Sequence, residues 1–523
     1  MWIKLGYNHF IVILEYGKIG IYFNKGALRH PSIIECRGGG FMLSNSKLPR
    51  SKPEEQGVLS SGILAFLEAV ERQSQGKKNQ ELHSFMLVRH GYVIAEGWWA
   101  PYRSQYPHML FSLSKSFTST AIGLAVSEGL LSVEDFVVSF FQEEIPKEPG
   151  ENLASMRVRH LLSMSTGNKE DTMQYQMEEK DGNWVRGFLS APVEYLPGTR
   201  FLYNTGATYM LSAILQKVTG QTLMQYLQPR LFEPLGIEDA TWETCPRGIH
   251  VGGFGLSIKT EDIAKFGQLY LQKGYWKGSQ IVPKEWVKEA TRSQISNGTK
   301  ANSDWAQGYG YQFWRCRNNA YRGDGAFGQY CVVMPEQDAV IAITSGLDDM
   351  QVVLNLVWEY LLPAMESTPL PETSVDQRAL EKKLSSLALA LPEGLEVDPI
   401  TAKVSGIRYE LEQDGFNFTE TSLSFNEDRC VITIQDNTTV YEIDCGIGKW
   451  LESEVPLAGN LSRVAACGAW SGNAAFTVDI RFIETPYCNT VTYTFEGDRL
   501  LLEINTNVSF DPKEPQLIKG RTA

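Results

Sequence analysis

Histidine, basic charge and long apolar runs are what this sequence has least of. Seven histidines stand among 523 residues, with no His-x-x-x-His or Glu-flanked pair among them, so the spacing that puts two metal ligands on one helical face is missing. The eight cysteines include no Cys-x-x-Cys pair, and several sit in apolar strand-like runs such as Tyr330-Cys331-Val332-Val333. They read as reduced core residues, not as a disulfide framework. No metal and no other cofactor is expected. Lysine and arginine number 48 against 61 acidic residues, a formal net charge of −13, which speaks against nucleic acid or an anionic membrane surface as partner. No stretch reaches the ~18 apolar residues of a membrane span. Phe10–Leu14 stops at Glu15 and lacks the charged start, sustained apolar run and cleavage site of a signal peptide. A cytoplasmic, membrane-free protein is the expectation.

What is present is ordinary globular composition, 43% hydrophobic and 21% charged, in a chain long enough for two or three domains. Residues 1–41 end in Arg37-Gly38-Gly39-Gly40-Phe41 directly before Met42. They read as a non-native or disordered extension, either translated upstream sequence or a real but loose segment. A helix is expected from Ser61 to about Glu71, then a hairpin from Ser84–Val88 and Tyr92–Ala95. Helical, loop-rich sequence fills the middle, with helices at Tyr209–Val218, Leu223–Leu231 and Thr260–Leu271. Strand-like sequence returns at Gly308–Trp314, Gly328–Met334 and Val340–Thr344, and Gln351–Leu362 closes the unit as a helix. Strands at both ends with helices between them predict an α+β fold. One antiparallel sheet, assembled from the two ends, is flanked by helices and carries an inserted helical region.

This first domain is expected over 42–365, followed by a linker and helix over 366–400, where Pro369 and Pro371 fall in a Ser/Thr/Glu-rich stretch. Beyond it the period becomes two: Phe476, Val478, Ile480 and Phe482 alternate with polar residues. A separate antiparallel β domain, sandwich- or barrel-like, is predicted over 401–523.

Chemistry concentrates at Phe111-Ser112-Leu113-Ser114-Lys115, which opens an apolar, proline-free run ending at Leu131. Ser112 and Lys115 are three apart and share one helical face. A serine hydroxyl needs a base to take its proton, and a lysine serves when burial lowers its pKa. Ser-x-x-Lys also occurs at Ser44/Lys47 and Ser74/Lys77, both in polar loop-like sequence. By pattern alone, Ser112 is a catalytic serine or an ordinary one near a helix start. Pro197-Gly198-Thr199-Arg200-Phe201-Leu202-Tyr203-Asn204-Thr205 sets Tyr203 in a turn before a helix. There a phenol can relay a proton to a leaving group, or simply pack at the helix entrance. Gly323-Asp324-Gly325-Ala326-Phe327-Gly328 has the Gly-x-Gly-x-x-Gly form, but a strand follows it instead of a helix, which excludes a dinucleotide site. A glycine-rich strand entry does let backbone N–H groups approach a substrate oxygen.

The order of Ser-x-x-Lys, Leu161–Gly167, Pro-Gly-Thr-x-Phe-x-Tyr, Gly-Gly-x-Gly-Leu at 252–256 and Gly-x-Gly-x-x-Gly-Gln resembles the serine β-lactamase and penicillin-binding-protein superfamily over roughly residues 48–362. It is most similar to the class C-like branch of esterases, D-amino-acid peptidases and 6-aminohexanoate-dimer hydrolases. The resemblance implies Ser112 as acylated nucleophile, Lys115 as its base and Tyr203 as proton relay. It also implies an oxyanion hole from the Ser112 N–H and a backbone N–H near Gly323, Gly325 and Ala326. Two departures stand out. Thr205 occupies the place where Tyr-x-Asn has its asparagine, and Tyr321-Arg322-Gly323-Asp324-Gly325 lacks the lysine or histidine of the third motif. Arg322 is either a substitute cation or a solvated surface residue. The function expected is a serine hydrolase acting through an acyl-enzyme on a small ester or amide. The alternatives are a β-lactamase or D,D-peptidase, and an acyl-binding sensor without turnover. No motif lies beyond Gln329, so the C-terminal β domain is expected to add no chemistry.

Overall fold

The structure is a computed structural model and describes residues 47–412, 418–457 and 460–523; the expected extension over 1–41 lies outside the described residues. Among these the chain forms two compact units, one of 48–390 together with Phe482–Cys488, the other of 391–481 and 489–523.

In the first unit a six-stranded antiparallel sheet runs in the order Tyr92–Trp98, Gln80–Arg89, Ala339–Leu347, Gln329–Met334, Tyr321–Gly325, Trp314–Arg315. The two ends of the unit meet where Gln80–Arg89 pairs with Ala339–Leu347, Phe85 opposite Ile343. Side chains of a strand alternate between faces, and here both faces are covered. Phe85 packs on Phe66 of the helix Ser60–Ser74, ring centroids 5.2 Å apart, while Ser84 hydrogen-bonds Thr260 of the helix Thr260–Leu271. Burial on both sides explains the unbroken apolar run at this strand, where an edge strand would alternate.

The inserted region is helical as expected, and its centre is the helix Ser114–Ser127, in which every residue from Ser114 to Ala125 is buried. Its small and apolar residues pack on all sides, and most of its hydroxyls are satisfied inside the core, Ser116 by the Gln312 carbonyl at 2.9 Å, Thr118 by the Gly252 carbonyl at 2.8 Å and Thr120 by the Ser116 carbonyl at 2.8 Å. The Gly308–Trp314 stretch differs from expectation: only Trp314 is in a strand, because Gly308 and Gln312 adopt positive φ values that break an extended run. The stretch expected as linker and helix contains the helix Ser374–Ser385, whose Lys383 pairs with Glu71 of the first helix. The described cysteines 245, 316, 331, 430, 445, 467 and 488 are all free and buried.

The second unit is all β. Ten strands between Arg408 and Thr522 form one sheet, which closes on itself as a barrel through the parallel pairing of Cys445 with Ala466 and Ile447 with Gly468. The period-two pattern read at 476–482 points Phe476, Val478 and Ile480 into its core, all buried. Among the described residues no helix is long and apolar enough to cross a membrane.

Candidate active site

The chain enters the site through a single helical turn, Phe111–Leu113, that leads directly into the buried helix. Between Leu110 and Ala125 only Ser112 keeps partial exposure. Its hydroxyl lies 3.0 Å from Lys115 Nζ. The ammonium end of Lys115 is otherwise held by the Gly253 carbonyl at 2.7 Å and the Thr205 hydroxyl at 3.4 Å. Lys115 is 1% exposed, and burial lowers its pKa to about 7, with Asp171 and Asp324 pulling the other way. Desolvation penalises the ammonium form more than these two carboxylates favour it, which leaves a substantial share of free amine at neutral pH.

Tyr203 completes the group. Its ring lies 4.8 Å from Lys115 Nζ, and burial raises its pKa well above that of an ordinary phenol, against a smaller lowering by the neighbouring Ser112 hydroxyl. The tyrosine therefore stays protonated. Its ring stacks on Trp314 at 5.3 Å and 19°.

The turn carrying Tyr203 is tied down by the next residues. Asn204 caps the helix Thr205–Thr219 and accepts from the Thr172 amide and hydroxyl, at 3.1 and 2.9 Å. The buried Asp171 carboxylate accepts the N–H groups of Thr205 at 2.8 Å, Met173 at 2.9 Å and Gly206 at 3.3 Å. A carboxylate at a helix N-terminus satisfies donors that have no intrahelical partner.

The glycines of the third motif have a steric reason. A Cβ on Gly325 would sit 1.9 Å from the Leu110 carbonyl oxygen, and one on Gly323 would sit 2.4 Å from Leu113 Cδ1 and 2.5 Å from Ser116 Oγ. The strand Tyr321–Gly325 thus lies against the turn carrying Ser112, with the half-buried Ala326 directly beyond it. Ser112, Lys115, Tyr203, Gly323 and Gly325 come together around one short turn.

Arg322 is neither a substitute substrate cation nor a solvated residue. It is fully buried, paired with Asp324 at 2.8 Å, bonded to the Asp304 carbonyl at 2.7 Å and packed over Trp305 at 4.3 Å. A charge this deep must be paired, and Asp324 neutralises it two residues along the same strand face.

The packing of three aromatic residues near the nucleophile, two of them inside the quoted motifs, escaped the sequence reading. Phe111 and Phe327 both have positive φ, 47° and 63°, a conformation costly for bulky residues. They pack edge to face at 5.5 Å, and Tyr487 packs on both, at 6.3 and 5.8 Å. The Glu484 carbonyl accepts the Met109 N–H at 2.8 Å. Tyr487 and Glu484 belong to the segment Phe482–Cys488 of this unit, so a stretch far past Gln329 packs beside the turn carrying Ser112 without contributing a catalytic motif. Asp171 was missed as well, standing in a turn without any periodic signal.

The sequence profile of the family described as Beta-lactamase matches residues 67–356, more than half of the chain. The protein belongs to the beta-lactamase family. It is a hydrolase of the serine hydrolase superfamily with an appended β barrel. Among its relatives, the 6-aminohexanoate-dimer hydrolase of Paenarthrobacter ureafaciens is 25% identical over 293 residues, 51% of this chain and 73% of that one. The lovastatin esterase of Penicillium rubens is 26% identical over 160 residues, 26% of this chain and 40% of that one. A Bacillus anthracis protein assigned as a 6-aminohexanoate-dimer hydrolase has the same fold. It superposes with a TM-score of 0.50 at 21% identity, covering 62% of this chain and 89% of its own.

Proposed function

We propose that this beta-lactamase-family protein hydrolyses a small ester or amide through a covalent acyl-enzyme on Ser112. The observation that carries the reading is the 3.0 Å contact of Ser112 Oγ with Lys115 Nζ, made by a lysine whose pKa burial lowers to about 7. Free amine at Lys115 accepts the Ser112 proton as Oγ attacks the substrate carbonyl. The oxyanion that forms is held by the Ser112 N–H and a backbone N–H of the Gly323–Ala326 strand end. Tyr203, half-buried and protonated, hands its proton to the departing alkoxide or amine and is reprotonated from Lys115. Water attacks the acyl carbonyl, with the same amine taking its proton, and Ser112 leaves as the hydroxyl.

The departures in the second and third motifs support ester or amide over β-lactam. Thr205 makes its contact with Lys115, and Arg322 is consumed by Asp324. Neither offers a charged grip on a β-lactam carboxylate. Each missing charge-assisted hydrogen bond forgoes about 1.5–3 kcal/mol, so two forgo roughly 10²–10⁴ in kcat/KM. Two of the relatives, named as a 6-aminohexanoate-dimer hydrolase and a lovastatin esterase, agree with this choice.

A panel of a short-chain p-nitrophenyl ester, an amino-acid anilide and a chromogenic cephalosporin tests it. The ester is expected to exceed the cephalosporin in kcat/KM by at least about a hundredfold. A ratio near one or a preference for the cephalosporin makes the protein a β-lactamase or D,D-peptidase instead. A burst without turnover makes it an acyl-binding sensor.

A further inference from the structure

The β barrel of the second unit is filled unevenly. At one end Trp470 packs on Phe476 at 5.1 Å, on Phe425 at 5.3 Å and on Phe495 at 6.0 Å. Along the paired strands Cys488–Glu496 and Arg499–Thr506, Phe495 faces Leu500 beside that cluster. The next inward pairs, Tyr493 with Leu502, Val491 with Ile504 and Asn489 with Thr506, line a cavity of about 100 Å³. Across it stand Ile434, Ile443, Ile480 and Ile518. A barrel of about eight strands is just wide enough for side chains to fill or for one small ligand to occupy. Medium aliphatic side chains leave the axis of this half open, where the aromatic ones close the other.

A second observation separates this cavity from a packing defect. Tyr493 is fully buried and lines the cavity, and its hydroxyl makes no well-formed hydrogen bond among the described residues, the Thr421 hydroxyl being the polar group beside it. The Thr421 hydroxyl spends its own proton on the Thr433 carbonyl at 2.9 Å, so it has none to give to Tyr493. An unpaired hydroxyl deep in an apolar site is costly, and a ligand hydroxyl would pair it. The charged residues of the lining, Lys513 and Glu514, are exposed and opposite in sign, so the lumen itself offers nothing to a charged group.

We propose that the barrel lumen is a binding site for a small uncharged molecule with an apolar body and a single hydroxyl, a phenol or a short alcohol, whose hydroxyl pairs with Tyr493. The site is separate from Ser112, and its occupancy does not depend on the hydrolase reading. A dry apolar cavity of about 150 Å³ is known to take benzene; this lumen, at about 100 Å³, takes a single ring with a small outward shift of its aliphatic lining.

The test is calorimetric titration of the full chain with phenol and with benzene. Phenol is expected to bind one to one, more tightly than benzene, and equally well in Ser112→Ala. Leu502→Trp, which fills the lumen, should weaken both probes at least about tenfold. Tyr493→Phe, nearly isosteric and expected to fold even where Leu502→Trp does not, should weaken phenol about fivefold and leave benzene within about twofold. Absence of phenol binding up to its solubility limit, phenol binding unchanged by Leu502→Trp, or an equal loss of both probes in Tyr493→Phe would overturn the proposal.

Discussion

The rings of Tyr203 and Trp314 are stacked, 5.3 Å apart and 19° from parallel, so the phenol beside Ser112 is held by a wall and not by a loop. The Arg322 guanidinium also lies 5.6 Å from the Trp314 ring and is paired with Asp324 at 2.8 Å. The buried ion pair therefore supports the wall that orients the phenol.

Tyr203→Phe keeps this stack and removes only the hydroxyl. It should lower kcat by roughly 10²–10⁴-fold, more for an anilide than for a p-nitrophenyl ester, since nitrophenolate leaves without being protonated. Steady-state kinetics on the two substrates measure the split. Equal losses on both would mean that the hydroxyl acts on Ser112 and not on the leaving group.

The pH dependence follows from Lys115. Burial lowers its pKa to about 7, and the free amine is the active form. Log kcat/KM should fall with unit slope below that pH and level off above it. Asp171 opposes the lowering, so Asp171→Asn, which retains a carbonyl acceptor for the helix cap, should move the midpoint to lower pH. A pH–rate profile of the two proteins reads the shift. A midpoint that rises in Asp171→Asn would contradict the charge argument.

Much of this arrangement was legible in the sequence, for physical reasons that can be named. The sheet built from both ends showed as apolar runs at 84–88 and 340–344, because a strand covered on both faces has no polar side to alternate. The Ser112 turn stood out from the other two Ser-x-x-Lys repeats because only it opened a long proline-free run of small and apolar residues. Arg322 was misread because a lone charged residue normally means surface. Its partner Asp324, two residues on, was the sign that a strand could bury both. Tyr487 gave no signal at all: it is 376 positions from Phe111, and only folding brings them to 6.3 Å.

The glycines of the strand facing Ser112 should differ in tolerance. In Gly325→Ala the new Cβ meets a backbone oxygen at 1.9 Å, whereas in Gly323→Ala it meets the ends of Leu113 and Ser116, which can turn aside. Gly325→Ala should lose most activity or soluble protein, and Gly323→Ala should keep more of each. Melting temperature and ester turnover of the purified variants check the order.

Tyr487→Ala removes the ring that packs on Phe111 and Phe327, both of which hold strained backbone at the site. A loss of about 3 kcal/mol of stability is expected, with a fall in kcat of about tenfold as the turn before Ser112 relaxes. Denaturant unfolding and kcat, measured together, test this. Unchanged kcat in a folded Tyr487→Ala protein would limit the residue to packing.

The central claim is the covalent acyl-enzyme on Ser112. Its most direct test is intact-protein and peptide mass spectrometry after rapid acid quench during turnover of a short-chain p-nitrophenyl ester. The account predicts a mass increase of one acyl group, on the peptide containing Ser112, absent from Ser112→Ala, whose kcat falls by roughly 10⁴–10⁶-fold. Acylation at another residue, or a Ser112→Ala protein that keeps more than about a tenth of wild-type activity, would contradict it.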